Sequence, residues 1–248
     1  MKKFIVSLLL CIPIAGFAQT PEELRAKTED FSVYADDLNS GQIATLGIEP
    51  ARADNPGNFS VFDHLASLNR ADSGDVTISR SGNAILVEKS AISGRKDAYS
   101  DTYEYGDVVF LTGHLENSWT KSEWTRYYGV AKWLAQKGFR VIMNPVAMIV
   151  HIKEAVQNDK TKVIIWSSHA SRNGTIYDSG HNAVPPNVFA ENAGPNFRQI
   201  IVSACFGNVM VTKYEFPEGL KKTYWSGTTD ADDLFDYLYN TWDPRTLK

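Results

Sequence analysis

The feature that most restricts the fold of this chain is a series of short apolar segments that alternate with helical segments from residue 107 onwards. Segments 163–166 (VIIW) and 200–202 (IIV) are apolar at consecutive positions, so both faces of each strand must be buried. Strands that are buried on both faces belong to parallel sheets with helices packed on both sides. The sequence therefore predicts an α/β fold with a mostly parallel sheet.

The predicted elements follow one another regularly in this half of the chain. Strands are expected at 107–113, 140–143, 163–166 and 200–203, with a fifth at 222–226. Helices are expected from Ser122 to about residue 137, at 146–157 and at 230–239. Upstream of them, residues 75–89 are expected to form a β-hairpin with its turn at 80–83.

The chain is predicted to have three parts. Residues 1–18 have the basic start, the apolar run and the final small residues of a cleavable signal peptide, so we expect a secreted or periplasmic, bacterial protein. Residues 19–106 are interpreted as an N-terminal extension packed on the sheet, or as a propeptide released near Arg95-Lys96. Residues 107–248 form the predicted α/β domain.

The charge of the chain argues against two classes of partner. The chain has 25 basic and 29 acidic residues and a net charge of −4, which becomes −6 when the two signal-peptide lysines are lost. An acidic chain without long runs of like charge is not typical of general nucleic-acid or anionic-membrane binders. No segment reaches 18 consecutive apolar residues, so no membrane span is predicted.

The use of cysteine draws attention to one residue. The chain has two cysteines, and Cys11 lies in the predicted signal peptide, so Cys205 is the only cysteine expected in the mature protein. Such a cysteine cannot form an internal disulfide, so it is inert in the core, pairs between chains or reacts. Free cysteines are most often buried, so the residues around Cys205 must show which of these three possibilities applies.

His169 and Cys205 each follow a predicted strand. His169 comes after 163–168, and Cys205 comes after 200–204. In a parallel sheet, ligands bind beyond the carboxyl ends of the strands, so both side chains are expected at the functional edge. An imidazole beside a thiol lowers the thiol pKa or accepts its proton, and either effect makes the sulfur a nucleophile.

Two segments carry a resemblance to a known group of enzymes. A strand that ends in Ser-His169-Ala170, followed by one that ends in Ser-Ala-Cys205, resembles the two blocks of the caspase-like cysteine peptidases. This group contains caspases, metacaspases, legumains, gingipains, clostripain and CHAT-domain peptidases. The histidine precedes the cysteine by 36 positions, which is also similar to that group, and the resemblance covers about residues 107–240. Papain-like and transglutaminase-like enzymes have the reverse order.

The resemblance implies a three-layer αβα sandwich and a cysteine endopeptidase that acts on peptides or proteins without a cofactor. It implies Cys205 as the nucleophile, His169 as the proton carrier, and the backbone N–H groups of Ala170 and Cys205 as the oxyanion hole. One position departs from the group, because Ala170 stands where glycine usually follows the histidine. A catalytically inactive caspase-like domain that binds a peptide or protein partner is therefore a second hypothesis.

Four further residues are candidates for a substrate pocket: His114, Glu116, Trp225 and Asp230. An acidic pocket around Asp230 would select Arg or Lys before the scissile bond, whereas acids at a helix N-terminus only oppose the helix dipole. His181 with Asp178 is a weak metal-binding pattern, and no metal site is predicted. A different α/β hydrolase is a third hypothesis, which the lack of a Gly-x-Ser-x-Gly elbow, a metal cluster and a phosphate loop weakens.

Overall fold

The computed structural model describes residues 60–72, 75–90, 103–115 and 121–247, which form five α-helices and seven β-strands. The helices are α1 (Val61–Ala71), α2 (Lys121–Gln136), α3 (Ile149–Gln157), α4 (Gly207–Lys213) and α5 (Ala231–Asn240). The strands are β1 (Val76–Ser81), β2 (Ala84–Lys89), β3 (Asp107–Thr112), β4 (Arg140–Asn144), β5 (Thr161–Ser167), β6 (Gln199–Ser203) and β7 (Lys221–Tyr224). A short 3-10 helix, Pro244–Thr246, follows α5.

The seven strands form one mixed sheet in which most neighbours are parallel. Their order across the sheet is β1-β2-β4-β3-β5-β6-β7. Strand β3 pairs in parallel with β4 and β5, β5 pairs in parallel with β6, and β6 with β7. The prediction of an α/β fold with a mostly parallel sheet is confirmed.

Two antiparallel strands extend the sheet at one edge. Strands β1 and β2 pair with each other around a turn at Gly82 and Asn83, and β2 pairs antiparallel with β4. Helix α1 packs at this edge, where its Leu65 is fully buried in the core. Residues 76–89 therefore belong to the sheet itself, because β4 has a second edge that β2 can pair with.

Alternate residues of the central strands enter two apolar cores, one on each face of the sheet. Val108 and Phe110 of β3 pack with residues of α1, α2 and α5, whereas Val109 and Leu111 pack with residues of α3 and α4. A large apolar side chain that is fully buried contributes about 1.5–3 kcal/mol to stability. Strands that are apolar on both faces are therefore stable only with helices on both sides, which is the arrangement found.

Local hydrogen bonds set where the helices begin. Helix α5 begins at Ala231, one residue after the predicted start, and the Asp230 Oδ1 accepts a hydrogen bond from the Asp233 N–H at 3.1 Å. Helix α3 begins at Ile149, so the prediction of a helix from residue 146 is wrong. The reason is that the Ala147 N–H donates to the Thr112 carbonyl at 2.7 Å, which ties this stretch to β3.

Three of the predictions concern residues outside those that the structure describes. They are the signal peptide at 1–18, the cleavage point at Arg95-Lys96 and the pocket residue Glu116. Among the helices of the described segments, none combines the length and the apolar character that a membrane span requires.

Candidate active site

The carboxyl ends of β5 and β6 lie side by side. The two strands are parallel neighbours, and Ser167 of β5 is paired with Ser203 of β6. Beyond this pair, the Ser168 N–H donates to the Ser203 carbonyl at 3.2 Å. His169 and Cys205 each come two residues after the paired serines, so the sheet brings both to the same edge.

Hydrogen bonds hold the backbone of His169 on both sides. Its N–H donates to the His114 carbonyl at 2.8 Å, which continues the contact of β5 with β3 beyond the last paired residues. Its carbonyl accepts from the Ser168 hydroxyl at 2.9 Å, and the Trp166 Nε1 donates to that hydroxyl at 2.7 Å. His169 is partly exposed, whereas Ala170 is buried. The imidazole therefore leaves a fixed backbone at a position that solvent can reach.

The loop after the histidine is fixed to α4, the helix that follows Cys205. Gly174 in this loop has a φ of +78°, and a Cβ there would lie 2.6 Å from the Met210 nitrogen of α4, so only glycine fits. At the end of the same helix, Lys213 Nζ donates to Asn173 Oδ1 at 3.2 Å. The two segments that carry the candidate residues are thus packed against each other.

Cys205 lies in a sharp turn between β6 and α4. The next residue, Phe206, has a φ of 53°, a left-handed conformation that costs a non-glycine residue about 1–2 kcal/mol. The Phe206 N–H donates to the Gly227 carbonyl at 2.6 Å. Cys205 is only 4% exposed, and its sulfur lies 3.8 Å from the Thr229 carbonyl. The segment 227–229 therefore lies directly against the cysteine.

Three imidazole rings lie at this edge of the sheet. The centroid of the His114 ring is 5.7 Å from that of His169 and 3.8 Å from that of His181. His114 is 6% exposed, whereas His181 is exposed to solvent. The sequence suggests His114 as a neighbour of the site and His181 only as a weak metal-binding partner of Asp178. It does not predict the contact between the two rings, because that contact depends on how the loop 178–182 folds.

Asp178 accepts hydrogen bonds from backbone donors. Its Oδ1 accepts from the N–H groups of Gly180 and Asn182 at 2.8 and 2.9 Å, and its Oδ2 accepts from the Ile149 N–H of α3 at 3.2 Å. The carboxylate therefore ties this loop to the start of α3. In the part of the chain that the structure describes, no three His, Cys, Asp or Glu side chains are grouped in a way that could hold a metal ion.

Asp230 directly follows Thr229, but its side chain caps α5. Besides accepting from the Asp233 N–H, Asp230 donates its own N–H to the Asp233 Oδ2 at 3.3 Å. Asp232, on the same turn, forms an ion pair with Arg126 of α2. The acidic run consists of Asp230, Asp232 and Asp233, and these contacts favour helix capping over an acidic pocket as its role.

Trp225 borders the turn that contains Cys205. Its carbonyl lies so close to the start of α4 that a Cβ on Gly207 would be 2.9 Å away. Its ring meets that of Tyr237 edge-on at 5.9 Å and packs against the core formed with α2 and α5. The backbone of Trp225 is therefore part of the edge, while its partly buried side chain supports α5.

Two buried polar atoms at this edge are left without a partner in the described part of the chain. They are the Asn144 Oδ1, at the end of β4, and the hydroxyl of Tyr177, a residue whose backbone carbonyl accepts from the His114 N–H. Buried polar groups are nearly always hydrogen-bonded, so such atoms are rare in a folded protein. At the end of β4, the Asn144 Oδ1 therefore has a hydrogen-bonding capacity that no described residue uses.

The comparisons with known proteins give no relative. No family model matches the chain, and no curated protein or solved structure is significantly similar to it. The resemblance to caspase-like peptidases stays a prediction that depends on the two short segments around His169 and Cys205.

Proposed function

We propose that this chain is an exported, caspase-like cysteine peptidase in which Cys205 is the nucleophile and His169 is the proton carrier. The observation that carries the proposal is the pairing of Ser167 with Ser203, because it brings a thiol and an imidazole to one sheet edge on neighbouring strands. The order of the two residues, histidine first, supports the same group. The proposed substrates are peptides or proteins in the periplasm or outside the cell.

The proposed reaction is the hydrolysis of a peptide bond in two stages. The His169 imidazole takes the proton of the Cys205 thiol, and the sulfur attacks the carbonyl carbon of the scissile bond. The C–N bond of the tetrahedral intermediate then breaks, and the imidazolium gives its proton to the leaving amine. Water hydrolyses the remaining thioester with His169 as base, which releases the acid and restores the thiol.

The tetrahedral intermediate requires N–H donors for its oxyanion, and the proposed donors are those of Ala170 and Cys205. Among the backbone hydrogen bonds of the described residues, none uses the Ala170 N–H. Buried N–H donors are usually paired, so an Ala170 N–H without a backbone acceptor, next to His169, supports a role in binding an oxyanion. The Ala170 methyl narrows the space beside the scissile carbonyl, compared with the glycine that is usual in the group.

A catalytically inactive caspase-like domain that binds a peptide or protein is the second candidate. The burial of Cys205, which is 4% exposed, favours it, because a nucleophile must reach the carbonyl carbon of a substrate. The methyl of Ala170 favours it for the reason given above. The two candidates differ in one measurable property, which is the reactivity of the thiol.

The rate of alkylation by iodoacetamide tests this property. The rate is measured on the folded protein from about pH 5 to about pH 9, for the wild type and for His169→Ala. A coupled thiol and imidazole give fast alkylation at neutral pH, and we expect the rate to fall by about tenfold or more in His169→Ala. A rate equal to that of an ordinary thiol or slower, and unchanged in the variant, would overturn the peptidase and support the binding domain.

Two control variants make the alkylation specific. Cys205→Ser gives the background, including any contribution from Cys11. His64→Ala removes an imidazole of α1 whose Nε2 lies 3.0 Å from Thr125 Oγ1 of α2, and it is expected to keep the wild-type rate. A reactive thiol then justifies a screen of fluorogenic peptides for cleavage.

A further inference from the structure

The segment Asp178–Asn182, called here the histidine loop, is anchored at two points of the carboxyl edge. Asp178 binds it to the start of α3, as described above. The Ser179 N–H donates to the Ala147 carbonyl at 2.9 Å, and its hydroxyl contacts the Thr112 carbonyl at 3.0 Å. The position of this loop relative to the end of β3 is therefore fixed by hydrogen bonds to the backbone.

His181 adopts a strained conformation within this anchored loop. Its φ is 62°, in the left-handed region that few non-glycine residues occupy, and its N–H donates to the Asp178 carbonyl at 3.0 Å. Strain of this kind persists where the surrounding structure imposes it, and it is concentrated at functional sites. The result of this conformation is that the exposed imidazole of His181 lies against the buried ring of His114, 3.8 Å from centroid to centroid.

His114 connects the histidine loop with His169. Its N–H donates to the Tyr177 carbonyl at 3.0 Å, and its carbonyl accepts from the His169 N–H at 2.8 Å. Its ring lies edge-on to the His169 ring, at 5.7 Å and an interplanar angle of 66°. Contacts of backbone and of rings thus run in sequence from His181 through His114 to His169.

We propose that His181, acting through His114, is a positioning residue that holds the His169 imidazole in the orientation in which it takes the Cys205 proton. This inference rests on the proposed function, because it concerns the base of the same dyad. A displacement of about 1 Å at a catalytic group lowers a rate by about a hundredfold, so a ring that limits the movement of His169 has a measurable effect. Because the loop is anchored, the exposed ring of His181 can restrict the ring of His114, which in turn restricts the ring of His169.

Glycine at position 181 separates positioning from folding. Glycine adopts a left-handed conformation without strain, and this relief offsets the larger conformational entropy of the unfolded chain. The melting temperature of His181→Gly is therefore expected to stay close to the wild-type value. The same variant removes the ring, and we expect the neutral-pH alkylation rate of Cys205 to fall by about tenfold or more. His181→Phe restores an aromatic ring against His114 and is expected to recover most of the rate. The imidazole NMR signals of His169 should shift in His181→Gly.

The outcomes distinguish this inference from the proposed function. A folded His181→Gly protein with the wild-type rate and unshifted His169 signals, in a protein whose wild type shows the His169 dependence, overturns the positioning role alone. A wild type without that dependence overturns both proposals. A rate and a melting temperature that fall together, without recovery in His181→Phe, show a purely structural role for His181 and also overturn the inference. His64→Ala, as the matched control, is expected to leave the rate and the His169 signals unchanged.

Discussion

The central strands have a polar cluster at each end, and the two clusters are built differently. At the amino edge, Asp107 and Arg140 begin β3 and β4 and form a bidentate ion pair, in which Arg140 Nε donates to Asp107 Oδ1 at 2.9 Å. Asn158 Nδ2 also donates to this carboxylate, at 3.4 Å. At the carboxyl edge, a thiol and several imidazoles follow β3, β5 and β6, and their backbone includes the strained Phe206 and His181.

This difference agrees with the proposed function, in which the amino edge contributes stability and the carboxyl edge contributes the chemistry. A buried ion pair with matched hydrogen bonds is costly to break and contains no nucleophile. A thiol is a nucleophile that an imidazole can activate, and ligands of open α/β sheets bind at the carboxyl ends of the strands. Variants at the amino edge should therefore change stability alone, and variants at the carboxyl edge should change reactivity first.

The largest expected effect is the loss of the proposed peptidase activity in Cys205→Ala. Without the sulfur no acyl-enzyme can form, so kcat/KM for the best peptide substrate should fall by at least about a thousandfold. The free energy of unfolding, measured with urea, should fall by only about 1 kcal/mol, because a single buried atom is removed. Hydrolysis that survives in this variant would assign the activity to other residues and would remove the contrast between the two edges.

The ion pair at the amino edge should show the opposite behaviour. Arg140→Met leaves the Asp107 carboxylate buried without its partner, and the free energy of unfolding at pH 8 should fall by about 3–5 kcal/mol. The alkylation rate of Cys205 in the folded variant should stay at the wild-type value, since the changed residue lies at the other end of the strands. A change in that rate would show that the edges are coupled.

A double variant controls for the loss of charge itself. Asp107→Leu combined with Arg140→Met removes both charges and leaves two apolar side chains among buried neighbours. Replacing both partners of a buried pair is often close to neutral, so this variant should recover most of the stability that Arg140→Met loses. A double variant as unstable as the single one would mean that packing, rather than an unpaired charge, explains the loss.

The pH dependence of stability should carry the signature of Asp107. Burial raises the pKa of this carboxyl to about 7, although the charge of Lys160 and the hydrogen bond from Asn158 oppose the rise. With a pKa of about 3.9 in the unfolded chain, the folded state binds the additional proton between these two values. The free energy of unfolding should therefore fall as pH rises from about 4 to about 7, by up to about 1.4 kcal/mol per pH unit.

The matched variant for this measurement is Asp107→Asn, which removes the titration and should flatten that part of the stability curve. The bidentate contact with Arg140 acts against burial, because it favours the carboxylate. The sign of the difference between wild type and variant decides which influence is larger. Stability that rises with pH in the wild type relative to the variant would show that the ion pair outweighs burial.

The sequence predicts the central part of this fold well, because consecutive apolar residues can only be buried by a sheet covered on both faces. It does not predict that β2 pairs with β4, since a hairpin of alternating pattern suits the edge of a sheet and its face equally. The start of α3 is missed for a related reason. The Ala147 N–H bonds to β3, and a contact of this kind between distant residues leaves no local pattern.

The candidate site is predictable where it depends on strand ends and unpredictable where it depends on loops. The placement of His169 and Cys205 at one edge follows from strand periodicity and parallel pairing. The contact of His181 with His114 requires the left-handed turn of an anchored loop, which its residues do not indicate in advance. The sequence alone is compatible with two roles for the acidic run at Asp230, an acidic pocket or a helix cap. Its hydrogen bonds in the structure favour the capping of α5.

The smallest expected effect comes from a polar contact just below the carboxyl edge. The Tyr127 hydroxyl of α2 lies 3.0 Å from the Ser167 hydroxyl, in the core and two residues before His169. Tyr127→Phe removes this hydrogen bond and should lower the free energy of unfolding by about 1 kcal/mol, as a single buried neutral bond does. The alkylation rate of Cys205 should not change, because backbone hydrogen bonds to His114 and Ser168 hold His169 independently. A rate that falls in this variant would show that the core beneath β5 also orients the imidazole. The residues that control the reactivity of Cys205 would then include core positions as well as those at the carboxyl edge.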